Sequence, residues 1–140
     1  MEATFTPKRI AVLGAGAMGS LFGGLLAEGG LDVTLIDVWQ EHVDAIREDG
    51  LRITGHGGDR TVQVKATTDP EEVGQMDVVL VQTKCRHTAA AVHRALPLFG
   101  TDTVAISFQN GLGNEEIIGE ITGMERVLGG VTAQGSGMVE

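Results

Sequence analysis

Apolar and polar positions along this chain follow two rhythms, and their alternation predicts the architecture. Arg9–Leu13 ("RIAVL") is a short apolar run rich in branched residues, as expected of a strand buried on both faces. Over Ala17–Glu28, Met18, Leu21, Phe22, Leu25 and Leu26 recur at helical spacing, and the glycine pair at 29–30 ends the helix. A second buried strand is expected over 32–37 ("DVTLID"), and a second helix over 39–49, with Trp39, Val43 and Ile46 on one face and Gly50 at its end.

The middle of the chain changes character. "LRITG" and "RTVQVKA" alternate apolar and polar residues around the glycine-rich "GHGGD", which predicts a hairpin. In "DPEEV", 69–73, Asp69 is the expected cap, Pro70 the first helical residue, and two acids complete the first turn. "DVVLVQT", 77–83, reads as another buried strand, "HTAAAVHRAL" as a helix ahead of Pro97, and "TVAISF" as a strand. "NEEIIGEI" reads as a helix with Asn114 as its cap, and "RVLGGVT" as a last strand. Strand–helix alternation of this kind implies an α/β fold of Rossmann type: a doubly wound, mainly parallel sheet with helices on both faces. Neither repeats nor an internal linker interrupt it, so residues 1–140 are read as one domain.

Composition narrows the function. The 140 residues carry a formal net charge of −9, with no basic stripe, which argues against nucleic acid and against anionic membrane surfaces as partners. Apolar runs fall far short of the roughly 18–20 residues of a membrane span. The N-terminal Met-Glu-Ala-Thr-Phe-Thr-Pro lacks the basic and apolar regions of a secretory signal, and the expectation is a soluble cytoplasmic domain. Cys85, the single cysteine, has no partner for an intrachain disulfide and no visible base beside it, so it reads as a bystander. His42, His56, His87 and His93 show no metal-ligand spacing and read as surface residues; no metal is expected.

The chemistry is concentrated in "LGAGAMGSLFGG", 13–24, where Gly14, Gly16 and Gly19 have the spacing G-x-G-x-x-G directly between a strand and a helix. In that context Gly14 permits the tight turn, Gly16 leaves room for a pyrophosphate, and Gly19 lets the helix pack close to the strand. Ala15, Ala17 and Met18 supply the intervening backbone. The helix start then faces the anion with free N–H groups and the positive end of its dipole. Asp37 ends the second strand 18 residues after Gly19, suited to both hydroxyls of an adenosine ribose. S-adenosylmethionine-binding methyltransferases share a glycine-rich first turn and an acid on the second strand, but their tighter glycine spacing and lack of a pyrophosphate site make a dinucleotide the better reading.

Two further stretches are distinctive: "VQTKC", 81–85, and "SFQNGLGNEE", 107–116. Together with "VLGAGAMG" they resemble the N-terminal NAD(P)-binding domain of the ketopantoate reductase (2-dehydropantoate 2-reductase) family, over nearly the whole chain. The resemblance implies reduction of a 2-keto acid, ketopantoate, to a 2-hydroxy acid with a nicotinamide cofactor, a step of pantothenate biosynthesis. It also implies that Asn110 lies near the nicotinamide and substrate, that Lys84 lines the cofactor site, and that Gly135 lies where backbone passes the cofactor. Lys84 and Asn110 both follow predicted parallel strands, the end at which open α/β sheets bind ligands. A bare Asn-Gly would equally suit a hairpin turn, but a helix follows here.

The chain departs from that family in two respects. NADP-using members are expected to carry an arginine just after the second strand, whereas this chain has Asp37-Val38-Trp39, which favours NAD over NADP. The family's helical C-terminal domain, with its lysine proton donor, is expected to be missing, which would leave the 140-residue chain inactive alone and leave an exposed surface for homodimer formation. Two alternatives stay open: an NAD-dependent D-2-hydroxyacid dehydrogenase on the same fold, and a non-catalytic dinucleotide-binding sensor module.

Overall fold

The computed structural model describes residues 4–55 and 57–139; His56, Met1–Ala3 and Glu140 lie outside the described residues, so the readings of His56 and of the first three residues are left there. Strand β1 (Arg9–Leu13) is flanked by β2 (Asp32–Ile36) and β6 (Met76–Val81), and all three run parallel. With β5 (Lys65–Thr67), β7 (Phe99–Ser107) and β8 (Val127–Gly129) they form one parallel six-stranded sheet in the order β5-β2-β1-β6-β7-β8. A separate antiparallel pair joins β3 (Leu51–Ile53) to β4 (Arg60–Val62).

Alternate side chains of the central strands supply two cores. Ile10, Val12, Leu35, Val78 and Leu80 meet Val43 and Ile46 of α2 (Gln40–Asp49) and the inner side of α1 (Ala17–Glu28). Ala11, Leu13, Val79 and Val81 meet Val92 of α3 (Thr88–Arg94) and Ile118 of α4 (Asn114–Thr122) on the other face. The alternation places near-continuous apolar runs between two helical layers. The expected Rossmann-type α/β fold is therefore observed, with the strand order reversing direction between β1 and β6.

Several local expectations are corrected. The predicted second hairpin strand over 60–66 is two strands: β4 closes the hairpin, and after Gln63–Val64 the chain leaves it, so that Lys65–Thr67 joins β2 in the main sheet. A uniform polar–apolar alternation cannot report a change of partner between sheets. Trp39 caps α2 instead of facing the core with Val43 and Ile46, and it is 54% exposed. Gly113, at φ +88°, is the N-terminal cap of α4, and Asn114 is its first residue. β7 starts four residues early at Phe99, and Thr103 ties the irregular stretch by donating to Met76 O at 2.6 Å.

The most consequential difference is on α1. The fully buried positions are Gly19, Ser20, Gly23 and Gly24, while Leu21, Phe22 and Leu26 are half-buried and Leu25 is exposed. The helix lies so close that a Cβ on Gly23 would overlap Leu35 Cδ2. The hairpin covers its flank, where a Cβ on Gly24 would sit 2.8 Å from Ile53 Cδ1. Small residues thus face the sheet, and the larger ones spread over its margins.

Asp77 secures the start of β1 by accepting the backbone N–H groups of Lys8 and Arg9 at 2.8 and 2.9 Å. These bonds hold its carboxyl below the ordinary aspartate value. Its contribution to stability is present above the unfolded-state value and lost as pH falls through the lower folded one. Unfolding curves of Asp77→Asn and wild type should therefore differ near neutrality and converge in acid.

The packing of α1 makes a second prediction. Leu35→Ala alone should cost about 2–5 kcal/mol in denaturant unfolding, and Gly23→Ala alone about 1–3 kcal/mol from overpacking. Because the new Cβ occupies the space of the lost methyl, the double variant should be more stable than the sum of the two losses implies.

Candidate functional site

The turn between β1 and α1 crosses the ends of β1 and β6, where the sheet order reverses. Gly14 takes φ +94°, and a Cβ there would lie 2.8 Å from Thr83 N and 2.9 Å from the Gln82 carbonyl carbon, so backbone packs directly on backbone. A Cβ on Gly19 would overlap the Gly14 carbonyl oxygen. Gly16 is the opposite case: a Cβ on it would meet nothing within 4 Å. The first glycine makes the turn, the third the close packing, and the second faces open space.

Ala15 between them is buried and held on both sides. Its N–H donates to Asp37 Oδ2 at 2.7 Å, and its carbonyl accepts from Ser20 Oγ and from His42 Nε2, each at 2.8 Å. Asp37 Oδ1 accepts the N–H of Trp39 at 3.0 Å. His42 is thus half-buried, bonded to the turn and stacked on Trp39 with ring centroids 5.2 Å apart. The surface assignment of His42 is corrected, and only its helical spacing from Trp39 hinted at the contact.

A cavity of about 470 Å³ opens beside the turn. Gly14, Gly16, Asp37 and Val38 line one side, and Gln82, Lys84 and the start of α3 the other. Two other pockets lie away from the turn: one of about 220 Å³ at the opposite, N-terminal ends of β1, β2 and β6, where Arg47 and Lys65 are already paired with Glu72 and Asp32, and an open one of about 510 Å³ along Gln63–Ala66. Among the described residues the N–H of Gly16 meets no acceptor, and the buried Gln82 Nε2 is also without one. Gln82 lies within the distinctive 81–85 stretch, where the sequence alone assigned it no role. Free N–H donors, an open position at Gly16 and an apolar recess beyond Asp37 are what a dinucleotide requires, and these residues could hold one.

The loops after β6 and β7 are joined by amides. Gln109 Nε2 donates to Thr83 O at 2.6 Å and to Thr88 Oγ1 at 2.8 Å, while Gln109 Oε1 accepts from Ser107 Oγ at 2.9 Å. Asn114 Nδ2 donates to Asn110 O at 3.1 Å, and the Cys85 thiol donates to the same carbonyl. Asn114 therefore braces the loop that precedes its helix and does not cap it. Cys85 is exposed, with that carbonyl and Asn114 as its partners. The side chain of Asn110 has no partner among the described residues and is exposed, as is Lys84 three residues beyond β6. His87 belongs to a 3-10 turn, Cys85–His87, ahead of α3, not to the helix itself, and takes a bond from Arg86 Nε at 3.0 Å. The exposed 131–139 segment returns over the turn, where Ser136 Oγ donates to Met18 Sδ at 3.0 Å and brings Gly135 to the start of α1.

An α/β sheet with an open, donor-lined glycine turn at its point of reversal is the architecture of a nucleotide-binding domain. The family model for ketopantoate reductase PanE/ApbA matches residues 10–140, and the chain belongs to that family. It is 47% identical over 133 residues to a 2-dehydropantoate 2-reductase of Pyrococcus abyssi, covering 94% of this chain and 42% of that protein. Among solved structures, the 2-dehydropantoate 2-reductase of Geobacter metallireducens superposes with a TM-score of 0.87 at 39% identity, over 94% of this chain and 44% of that one. A D-mandelate dehydrogenase solved with NADH and anilino(oxo)acetate superposes with a TM-score of 0.82 at 34% identity, over 88% of this chain and 40% of that one. The chain spans about two fifths of the length of the curated relatives it matches, 44% and 42% in the first two.

The amide contacts separate bracing from presentation. Gln109→Ala should lower stability by about 1–3 kcal/mol, since it strips partners from half-buried groups, whereas Asn110→Ala should stay within about 0.5 kcal/mol of wild type. Thermal unfolding of both variants checks this; equal losses would show that Asn110 is also a structural residue.

Proposed function

We propose that this chain is the nicotinamide-dinucleotide-binding part of a 2-keto-acid reductase, acting on ketopantoate as the 2-dehydropantoate 2-reductases it resembles do by name. The observation that carries the reading is the turn at 14–19, which leaves Gly16 N–H without an acceptor among the described residues and lines an open cavity together with Asp37. The N–H groups of Gly16, Ala17 and Met18 would bind the pyrophosphate. Asp37, which keeps acceptor capacity beyond its two backbone bonds, would take the ribose hydroxyls. Val38, Pro70, Ala90 and Ala91 would receive the adenine. Lys84, Asn110 and Gly135 would attend the nicotinamide end.

The chemistry a bound nicotinamide supplies is hydride delivery to the keto carbon. For that step Asn110 offers an exposed amide able to orient a carbonyl. A proton must also reach the carbonyl oxygen from a group within hydrogen-bond reach. Lys84 is an ionisable candidate on the neighbouring loop, but it lines the cofactor cavity, so we assign the donor to a group outside this chain. The chain alone should then bind cofactor without turnover. A D-2-hydroxyacid dehydrogenase is the second reading, supported by the 34% identity to D-mandelate dehydrogenase.

Cofactor choice follows from charge. Asp37 opposes a 2′-phosphate, while the two arginines on the facing wall each commit one N–H, Arg94 to Thr68 O at 2.9 Å and Arg86 to the His87 ring. NADH should bind at least about tenfold more tightly than NADPH, a difference of about 1.4 kcal/mol. Titration calorimetry with both cofactors checks the preference, and tighter NADPH binding contradicts it. Incubation with NADH and ketopantoate should give no loss of nicotinamide absorbance. Turnover by the chain alone would move the proton donor inside it, with Lys84 the first residue to replace.

A further inference from the structure

The Ala15 carbonyl and the Gly16 N–H belong to one planar trans peptide unit, so they point in opposite directions. His42 Nε2 and Ser20 Oγ hold the carbonyl inward at 2.8 Å each. The N–H of Gly16 is thereby directed away from His42 and Ser20, has no acceptor among the described residues, and belongs to a residue that lines the cavity. Glycine at position 16, the C-terminal end of this peptide unit, would otherwise make its rotation easier. Rotation would present a carbonyl oxygen to an anion instead of a donor.

We propose that His42 is a positioning residue for the dinucleotide: acting through the Ala15 carbonyl, it holds the 15–16 peptide so that Gly16 N–H points at the pyrophosphate. The proposal rests on the cofactor reading above. A carbonyl can only accept, so Nε2 must carry the proton, and the tautomer is assigned by the bond. The ring is fixed from its other side by stacking on Trp39, whose N–H is bonded to Asp37. Asp37 in turn holds Ala15 N–H, so the residue that would meet the ribose and the peptide that would meet the pyrophosphate are joined in one closed set of contacts. Ser20, one turn into α1, provides the second donor to the same oxygen, so loss of His42 alone weakens the hold without abolishing it.

The test compares wild type, His42→Leu and His42→Gln by NADH titration, with thermal unfolding of each and side-chain nitrogen-15 spectra of the wild type. Glutamine keeps an N–H donor at the reach of Nε2 but cannot stack on Trp39. We expect His42→Leu to weaken NADH binding roughly three- to tenfold, as for loss of one hydrogen bond. We expect His42→Gln to stay within about twofold of wild type, however their melting temperatures compare. The spectra should show the proton on Nε2. Equal weakening in both variants would assign the effect to ring packing and overturn the proposal, as would an Nδ1–H tautomer or unchanged binding in His42→Leu. If wild type itself fails to bind NADH, the cofactor reading falls first and the role of His42 with it.

Discussion

Backbone lying on backbone is the constraint from which the rest of this structure follows. Where the 13–19 turn crosses the end of β6, Gly14 stands against Thr83 N and Gln82 C, and Gly19 stands against the Gly14 carbonyl. No side chain fits at either contact, so α1 lies low on the sheet and its first turn ends at the junction of β1 and β6. The same close approach explains why α1 buries glycine and serine in place of leucine. It also brings the turn within reach of two neighbours, Asp37 beyond β2 and His42 on α2.

Hydrogen-bond accounting then divides the turn into a fixed part and an open part. Gly14 N–H is taken by Ile36 O at 2.8 Å and Ala15 N–H by Asp37, while Gly16 N–H is left without an acceptor among the described residues. A donor left free at a helix start is costly when buried and useful when it faces a ligand. Here it belongs to Gly16, which lines the cavity. On the other wall the amides of Gln109 and Asn114 tie two loops into one rim, which leaves the Asn110 side chain exposed at the edge. The site thus combines rigid bracing with a few uncommitted groups.

Much of this was legible in the sequence because it depends on local pattern. β1 and α1 lie at the residues their periodicity indicates, and the glycine spacing pointed to the turn. What was not legible depends on partners distant in the chain. The alternation over 60–66 is the same whether β5 continues β4 in the hairpin with β3 or pairs with β2, so the change of sheet was hidden. His42 carries no motif, and its bond to Ala15 spans 27 residues through the packing of α2. Asn114 looked like a cap because its residue type and position suit one; the left-handed Gly113 took that place and turned Asn114 back into the loop. Gln109 was visible as part of a distinctive stretch, but its bracing role needed the 26-residue contact to Thr83.

The central claim is that the free N–H groups at the start of α1 bind a pyrophosphate. A backbone amide proton–nitrogen spectrum of the chain during titration with ADP-ribose addresses it most directly, because it reports each N–H separately. The account predicts saturable shifts largest at Gly16, Ala17 and Met18, with Asp37 and Val38 following at the same apparent affinity. Saturable shifts confined to the β3–β4 hairpin or to α4, with the amides of residues 16–18 unmoved, would contradict it.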